Sequence, residues 1–357
     1  MPSNESTVRV AVAQAAPVFL DRDASLDKAL RLIQKAGEQG VHLLAFGEAW
    51  LPGYPIHAWS APGTDQWWTA AERYLDQAVD FGGPVIDALC SAAGKAGIDV
   101  VIGLAERDAV TQGTVYSTLA LIGSEGHVIG HHRKLRPTGF ERVVWADGND
   151  SGLQTHLRPY GNLSVLASTE HQMVLPTYAL AEQGAQFHVA CWPGHSPAET
   201  ARQSQASMWP DPHLLSRAFA VQTGTYVLCA GAVIDAAAVP EPYRNLLPFA
   251  FTGASAIIDP RGGILAGPVE GEELLVAECD PAVVRSAKVA FDCAGHSARP
   301  DQLALWDKSA IPSGEQGWDD AGGEDGPDDE DGYNGEGYHG DGHESPPPGP
   351  MTARGGR

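Results

Sequence analysis

Four stretches of strand length, Val41–Phe46, Ile98–Leu104, Phe187–Cys191 and Tyr226–Ala230, are apolar almost throughout. Runs without polar alternation belong to strands covered on both faces, and such strands need layers of other structure above and below them. The segments between them supply that cover. Leu26, Leu30, Ile33 and Ala36 recur at helical spacing, from an expected N-cap at Ser25 to Gly40. Pro84–Ala96 reads as a helix, as do the stretches from about Pro176 to Gln183 and from about 200 to 223. Val8–Ala15 is expected as a first strand and Leu274–Glu278 as a last one. Val115–Ile122 and His127–His131 flank Gly123-Ser-Glu-Gly126, a hairpin signal, and a second hairpin pairs Ala254–Asp259 with Ile264–Ala266. Ala49–Pro62 and residues 136–160 read as loop. Strand and helix alternating in both halves indicates an α/β protein with helices outside its sheet structure.

Charge narrows the partners. With 45 acids against 23 lysines and arginines the chain carries a net charge of −22, which excludes nucleic acid and anionic membrane surfaces as expected partners. Much of that charge lies at one end, with twelve acids and two arginines beyond Pro312. There Gly, Asp, Glu and Pro dominate and apolar residues almost vanish, so too little surface can be buried to offset chain entropy. The expected organisation is a folded domain over 1–312 and a disordered acidic tail over 313–357. The N-terminus shows no signal peptide, and no apolar run approaches the roughly 20 residues that span a membrane. The five cysteines are widely spaced without a CxxC, as in reduced cytoplasmic proteins, and they suggest neither a disulfide framework nor a metal site.

One short stretch carries the chemistry. Leu163-Ser-Val-Leu-Ala-Ser-Thr-Glu-His171 is an apolar run that ends in small polar residues just before a helix. A strand, sharp turn and helix in a parallel sheet lifts the residue at the tip out of the strand end, and here that residue is Ser168. Glu48 ends another buried strand, where a carboxylate lies in the ligand crevice of such sheets. Lys134 follows the first hairpin among His131, His132, Arg133 and Arg136. A cation there can stabilise charge developing at a carbonyl or nitrile. Glu141 lies seven residues further on. Each alone has an ordinary reading, as a strand-end glutamate, a solvated basic cluster or an exposed loop acid.

Together they carry a resemblance. Phe46-Gly-Glu-Ala-Trp-Leu-Pro-Gly-Tyr-Pro55, His132-Arg-Lys-Leu-Arg-Pro-Thr-Gly-Phe-Glu141, the elbow with Glu170-His171, Phe187-His-Val-Ala-Cys-Trp-Pro-Gly194 and Gly295-His-Ser-Ala-Arg-Pro-Asp301 occur in the order of the nitrilase superfamily. The chain resembles its nitrilase and cyanide-degrading branch from about residue 7 to 306. The resemblance implies a four-layer α-β-β-α sandwich, a nitrile substrate, no metal or organic cofactor, and a homodimer or larger spiral homo-oligomer. It implies a Glu-Lys-Cys triad in which Glu48 is the general base, Lys134 stabilises the tetrahedral intermediate and Glu141 supports them. Trp50, Tyr54, Trp59, Thr138, Glu170, His171 and Trp192 are candidates to line the pocket. The chain departs from the family at the attacking atom, where Ser168-Thr169-Glu170 stands in place of a cysteine followed by Trp or Gly and then Glu. Gly47 also stands where proline is common.

A thiol with a pKa of about 8.5 yields its thiolate cheaply, whereas a serine hydroxyl needs a well-placed base. Glu48 can serve only if burial raises its pKa. Three readings follow: Ser168 is a natural variant nucleophile, or it is an engineered or drifted change that disables covalent catalysis and leaves the pocket intact, or Cys191 substitutes for the missing thiol. The alternative from a different class is a catalytically silent homologue acting as a binding or assembly subunit. The ordinary reading of Cys191 is a buried, small apolar residue.

Overall fold

The computed structural model describes residues 7–60, 62–194, 211–234, 237–247 and 250–299. In chain order the elements that build the scaffold are β1 (Val8–Gln14), α1 (Arg22–Glu38), β2 (Leu43–Ala45), α2 (Asp65–Asp76), β3 (Val79–Asp80), α3 (Pro84–Ala96), β4 (Asp99–Arg107), β5 (Val115–Ile122), β6 (Val128–Arg133) and β7 (His156–Arg158). They continue with β8 (Gly161–Ala167), α4 (Val174–Glu182), β9 (Phe187–Trp192), α5 (Pro212–Thr223), β10 (Tyr226–Gly231), β11 (Val233–Ile234), β12 (Phe251–Thr252), β13 (Ala256–Ile258), β14 (Ile264–Ala266), β15 (Glu273–Cys279) and α6 (Pro281–Ala290).

The strands form two main sheets. One runs β15-β1-β2-β4-β5-β6, with β3 beside β4, and the other runs β14-β13-β10-β9-β8-β7. In each, the central strands are parallel and hairpins close the flanks. β1, β2 and β4 run parallel in the first sheet, as do β8, β9 and β10 in the second. Both expected hairpins form, β5 with β6 and β13 with β14.

The layers follow from which face of each strand is apolar. Val10, Val12, Leu43, Ala45, Val101 and Leu119 of the first sheet pack against Val165, Ala167, Val189, Leu228 and Ile257 of the second. The alternate residues of the first sheet, among them Ala11, Leu44 and Ile102, pack outward on Ile33 of α1 and Leu89 of α3. Those of the second, Leu166, Ala190 and Val227, pack outward on Leu180 of α4 and Phe219 of α5. Helix, sheet, sheet and helix are thus stacked in an α-β-β-α sandwich, and the near-continuous apolar runs are the strands greased on both faces.

Local details correct the sequence reading in places. Helix α1 is capped by Asp21, whose carboxylate accepts from Ala24 N at 3.0 Å, one turn before the expected Ser25. Ser25 is instead buried in the first turn, accepting from Val18 N and donating to Val18 O. Helices α2 and α6 were not anticipated, although Thr64 and the Asp280-Pro281 pair are ordinary start signals for them. Of the helix expected over 200–223, residues 211–223 fall within the description; the expected acidic tail and Pro300-Asp301 of the C-terminal motif lie outside it. No helix among the described residues is long and apolar enough to cross a membrane.

One glycine lets the chain turn from β2 toward the site. Leu51 N donates to Gly103 O of β4 at 3.1 Å, and a Cβ at Gly103 would strike Gly47 O and Ala49 N on either side of Glu48. Gly103→Ala is expected to lower unfolding free energy by about 1–3 kcal/mol through overpacking. Gly113→Ala, where the nearest atom is 3.9 Å away, is expected to change it by less than about 0.5 kcal/mol in the same urea titration.

Candidate active site

Glu48 is set between the two sheets. Phe46 N donates to Val101 O of the first sheet at 2.8 Å, and Glu48 N donates to Trp192 O of the second at 3.0 Å. Ala49 then adopts a left-handed φ of 46°, which turns the chain back over β4. Lys134 is held by its own backbone, with Lys134 N donating to Ser117 O of β5 at 2.8 Å. Glu141 sits in a 3-10 turn, Gly139–Val143, where its carboxylate accepts from Thr138 N at 2.6 Å.

These three side chains meet in the interior. Lys134 Nζ donates to Glu48 Oε1 and to Glu141 Oε2, each at 2.8 Å, and all three side chains are wholly buried. Tyr54 donates its hydroxyl to Glu141 Oε1 at 2.7 Å, and Ser117 donates to Glu48 Oε1 at 3.1 Å. The ammonium lies 5.6 Å from the centre of the Trp145 ring. Burial pushes Glu48 up to about 7 against the pull of Lys134, and the Glu141 charge adds to the rise. Burial disfavours the charged Lys134, but Glu141 and Glu48 outweigh it and hold the ammonium above its ordinary value. Burial first, then the two carboxylates, push Tyr54 well up, so it stays a hydroxyl donor.

The elbow completes the group from the second sheet. β8 ends at Ala167, and Ser168 takes a left-handed φ of 48°, a conformation that costs a non-glycine residue about 1–2 kcal/mol. Glu170, fully buried, fastens this turn to the Lys134 strand. It accepts from Ala167 N at 2.6 Å, from Leu135 N at 2.7 Å, and bonds His132 Nε2 through both oxygens at 3.0 and 2.9 Å. Burial raises its pKa, but His132 and the two backbone N–H groups prevail and hold it below the ordinary carboxylate value. The hydroxyls of Thr169 and Thr138 also hydrogen-bond. Two oxygens in this group are buried without a hydrogen-bond partner among the described residues, Ser168 Oγ and Glu48 Oε2.

The structure therefore brings Glu48, Lys134 and Glu141 into direct contact, with Tyr54 and Thr138 bonded to Glu141. It ties Ser168 to them through its neighbours Thr169 and Glu170. The other expected lining residues are placed differently. Trp50 is wholly buried with its indole N–H donated to Ala15 O at 2.8 Å, and Trp192 donates to Ser216 Oγ at 3.3 Å. Glu170 spends its oxygens on protein groups, and His171 bonds Ser168 O at 2.7 Å. Trp59 packs against Phe140 with ring centres 5.7 Å apart. Cys191 pairs with Ala167 in the strand beside the elbow but donates to Phe46 O at 3.3 Å, and burial pushes its thiol well up, which argues against thiolate chemistry there. Sequence reasoning did not single out Ser117, His132, Ser164 or His188. For Ser117, Ser164 and His188 the signal was a polar residue inside an apolar strand run; His132 sits in the basic run His131–Lys134 and carried none of its own. Among the described residues no group of three His, Cys, Asp or Glu side chains could hold a metal ion.

Known proteins share this arrangement of chain. Residues 9–289 match the carbon-nitrogen hydrolase family. The chain belongs to that family. It is 48% identical to Nitrilase 2 from an unknown prokaryotic organism over 82% of this chain and 90% of that protein. It is 35% identical to a bifunctional nitrilase/nitrile hydratase of Nicotiana tabacum over 85% and 86%. A Saccharomyces cerevisiae member of branch 10 of the nitrilase superfamily superposes with a TM-score of 0.64, covering 83% of this chain and 98% of its own at 22% identity, which speaks to fold alone. The chain is an enzyme of the nitrilase-like, carbon–nitrogen hydrolase type.

In this hydrolase Glu170 is the clamp between the sheets. Glu170→Ala would leave Ala167 N, Leu135 N and His132 without their acceptor in a dry site. Removing one partner of such a buried group costs about 3–5 kcal/mol. The expected result is a loss of that order in denaturant unfolding, whereas Arg136→Ala, which breaks an exposed pair with Asp147, shifts it by less than about 1 kcal/mol.

Proposed function

We propose that this hydrolase converts a nitrile to the carboxylic acid and ammonia through a covalent intermediate on Ser168. The observation that carries the reading is a pair of oxygens buried without a hydrogen-bond partner among the described residues: Glu48 Oε2, on the carboxylate that holds the Lys134 ammonium, and Ser168 Oγ, at the elbow that Glu170 ties to the Lys134 strand. A buried polar atom left unmade costs about 1–3 kcal/mol, so both are fitted to groups that arrive with substrate. A carboxylate with a pKa of about 7 also binds a proton more strongly than an ordinary one, which suits a base that must take a proton from a hydroxyl.

In the proposed sequence Ser168 Oγ adds to the nitrile carbon while Glu48 takes its proton and passes it to the nitrile nitrogen, giving an imidate ester. Water then adds to that carbon, its proton again passing through Glu48. Lys134 stabilises charge on the tetrahedral centre, the nitrogen leaves as ammonia, and an ester remains. A second water cleaves the ester, releasing the acid and restoring the Ser168 hydroxyl. Overall one nitrile and two waters give one acid and one ammonia. Glu141, fixed by Tyr54 and Thr138, keeps Lys134 charged and aimed. The relatives named nitrilase and the relative named bifunctional nitrilase/nitrile hydratase support this substrate class. As for assembly, the outer helices expose Val174, Leu175, Leu214 and Val221, which supports the expectation of a homo-oligomer.

A second reading, a silent homologue that binds or assembles without turnover, is favoured by the absence of any hydrogen bond between Ser168 Oγ and a base among the described residues. Ammonia release from aliphatic nitriles, aromatic nitriles and cyanide separates the two. Turnover by the chain that Ser168→Ala abolishes supports the enzyme with a serine nucleophile. Turnover only after Ser168→Cys supports an intact site whose nucleophile is disabled. Silence from all three forms favours the second reading.

The base predicts a pH profile. Only ionised Glu48 can accept a proton, so kcat/KM is expected to fall about tenfold per pH unit below the Glu48 pKa of about 7 and to level off above it. Glu48→Gln is expected to lose about 10²-fold or more on the plateau above pH ~7 and to lack that limb. A profile flat from pH 5 to 8 would remove Glu48 as the base.

A further inference from the structure

Behind the elbow lies a chain of polar groups that the proposed reaction does not use. His171 Nδ1 is 2.7 Å from Ser168 O, His171 Nε2 is 3.0 Å from His188 Nε2, and His188 Nδ1 is 2.8 Å from Ser164 Oγ. His188, Ser164 and Ser168 are wholly buried and His171 nearly so. The surroundings are aromatic. The Phe219 ring stacks on His188 at 3.8 Å, and the Trp192 ring stacks on His171 at 5.3 Å.

The hydrogens of this chain can be deduced. A carbonyl only accepts, so His171 Nδ1 carries a proton. Burial among aromatic rings pushes His171 down to about 4 and His188 well below its ordinary value, so both rings are neutral near pH 7. A neutral imidazole has one N–H, so His171 Nε2 accepts and His188 Nε2 donates. His188 Nδ1 must then accept, and the Ser164 hydroxyl supplies its hydrogen. The 3.4 Å approach of Ser164 Oγ to Phe187 O is left as the weaker alternative. Every donor points the same way, from Ser164 toward Ser168. The last bond closes the turn whose first residue has the left-handed φ of 48°.

We propose that Ser164, His188 and His171 form a one-directional hydrogen-bond relay that holds the Ser168 carbonyl and so fixes the elbow, making the two histidines positioning residues for the side chain at its tip. The elbow's catalytic use rests on the reading of Ser168 given above, but the relay itself does not. A side chain held by such second contacts keeps its geometry when the first contacts change, and a misplacement of about 1 Å costs about 10²-fold in rate.

The test uses the full chain labelled with 15N-histidine, and reads ring tautomers from long-range nitrogen–proton spectra at pH 7. Assignment comes from the signals lost in His171→Asn and His188→Asn. His171 is expected as the neutral Nδ1–H tautomer and His188 as the neutral Nε2–H tautomer. The opposite tautomer or an imidazolium at either ring overturns the relay. His188→Gln places an amide N–H where Nε2 stood and keeps a donor for His171 Nε2, whereas His188→Leu removes that donor. Hydrogen exchange of the peptide covering Ser168–Gln172 then reads the elbow. Protection should fall about tenfold or more in His188→Leu and return in His188→Gln. Equal protection in the parent and both variants overturns the positioning role. In a Ser168→Cys background that turns over nitrile, His188→Leu should lower kcat with little change in KM. Absence of nitrile turnover in that background counts against the proposed function, while the tautomers and the exchange still decide the relay.

Discussion

Three charges in a dry interior set the terms for the rest of the molecule. Lys134 lies between Glu48 and Glu141, and none of the three reaches water. Burying such ions costs several kcal/mol each unless every partner is in place. Two carboxylates share one ammonium, so one of them must be the less satisfied. Glu141 has the Tyr54 hydroxyl and the Thr138 amide besides Lys134, whereas among the described residues Glu48 has only Ser117 besides Lys134 and keeps one oxygen unpaired. Glu48 is therefore the less compensated carboxylate, and burial, with the Glu141 charge adding, raises its pKa to about 7 against the pull of Lys134. On the proposed reading this asymmetry is what separates a base from a supporting glutamate.

The sandwich exists in part to make that count possible. Glu48 and Lys134 belong to the first sheet and Ser168 to the second, and strands from separate sheets have no covalent register with one another. Register comes from a few cross-links: Glu48 N on Trp192 O, and Glu170 on Leu135, His132 and Ala167 together. Close packing makes them tight. A Cβ at Gly47 would lie 2.8 Å from Ala232 N and 2.9 Å from Trp192 O, so glycine fits a chain that has closed around it.

The buried strands were legible because burial on both faces writes itself as apolar runs with no alternation, the hairpins because glycine-bearing turns separate their strands, and the four-layer class only through the family resemblance. Ser25 misled because several residues near a helix start can serve as a cap, and only the fold shows that Asp21 does so while Ser25 turns inward to Val18. Glu48, Lys134 and Glu141 were legible as a set through the family's motifs, not individually. Residues such as Glu170 and Trp50 were harder. Sequence places them near the site, but whether a polar atom faces a ligand or a backbone amide depends on chains that meet from opposite sheets. His188 is the clearest case: one polar residue in Phe187–Trp192 is ordinary noise in a buried strand, and only the imidazole of His171 against it gives it meaning.

The serine can be weighed on the same physical terms. A turn kept at a left-handed φ of 48° by a non-glycine residue stores about 1–2 kcal/mol that some other interaction must offset. Here the offset is visible, in the Glu170 clamp on Ala167 N and the imidazole on Ser168 O. Around it stand an ion triad and two orphaned oxygens, each a further expense in stability that simple loss of a nucleophile would leave without a return. Well-packed apolar residues in place of Glu48, Lys134 and Glu141 together are expected to be neutral or stabilising for the same fold. Strain at the elbow, two oxygens unpaired among the described residues and a carboxylate raised to about 7 are what the proposed reading uses. On the proposed reading, an oxygen where the family resemblance implies a sulfur is harder to activate, while Glu48, Lys134 and Glu141 stay assembled.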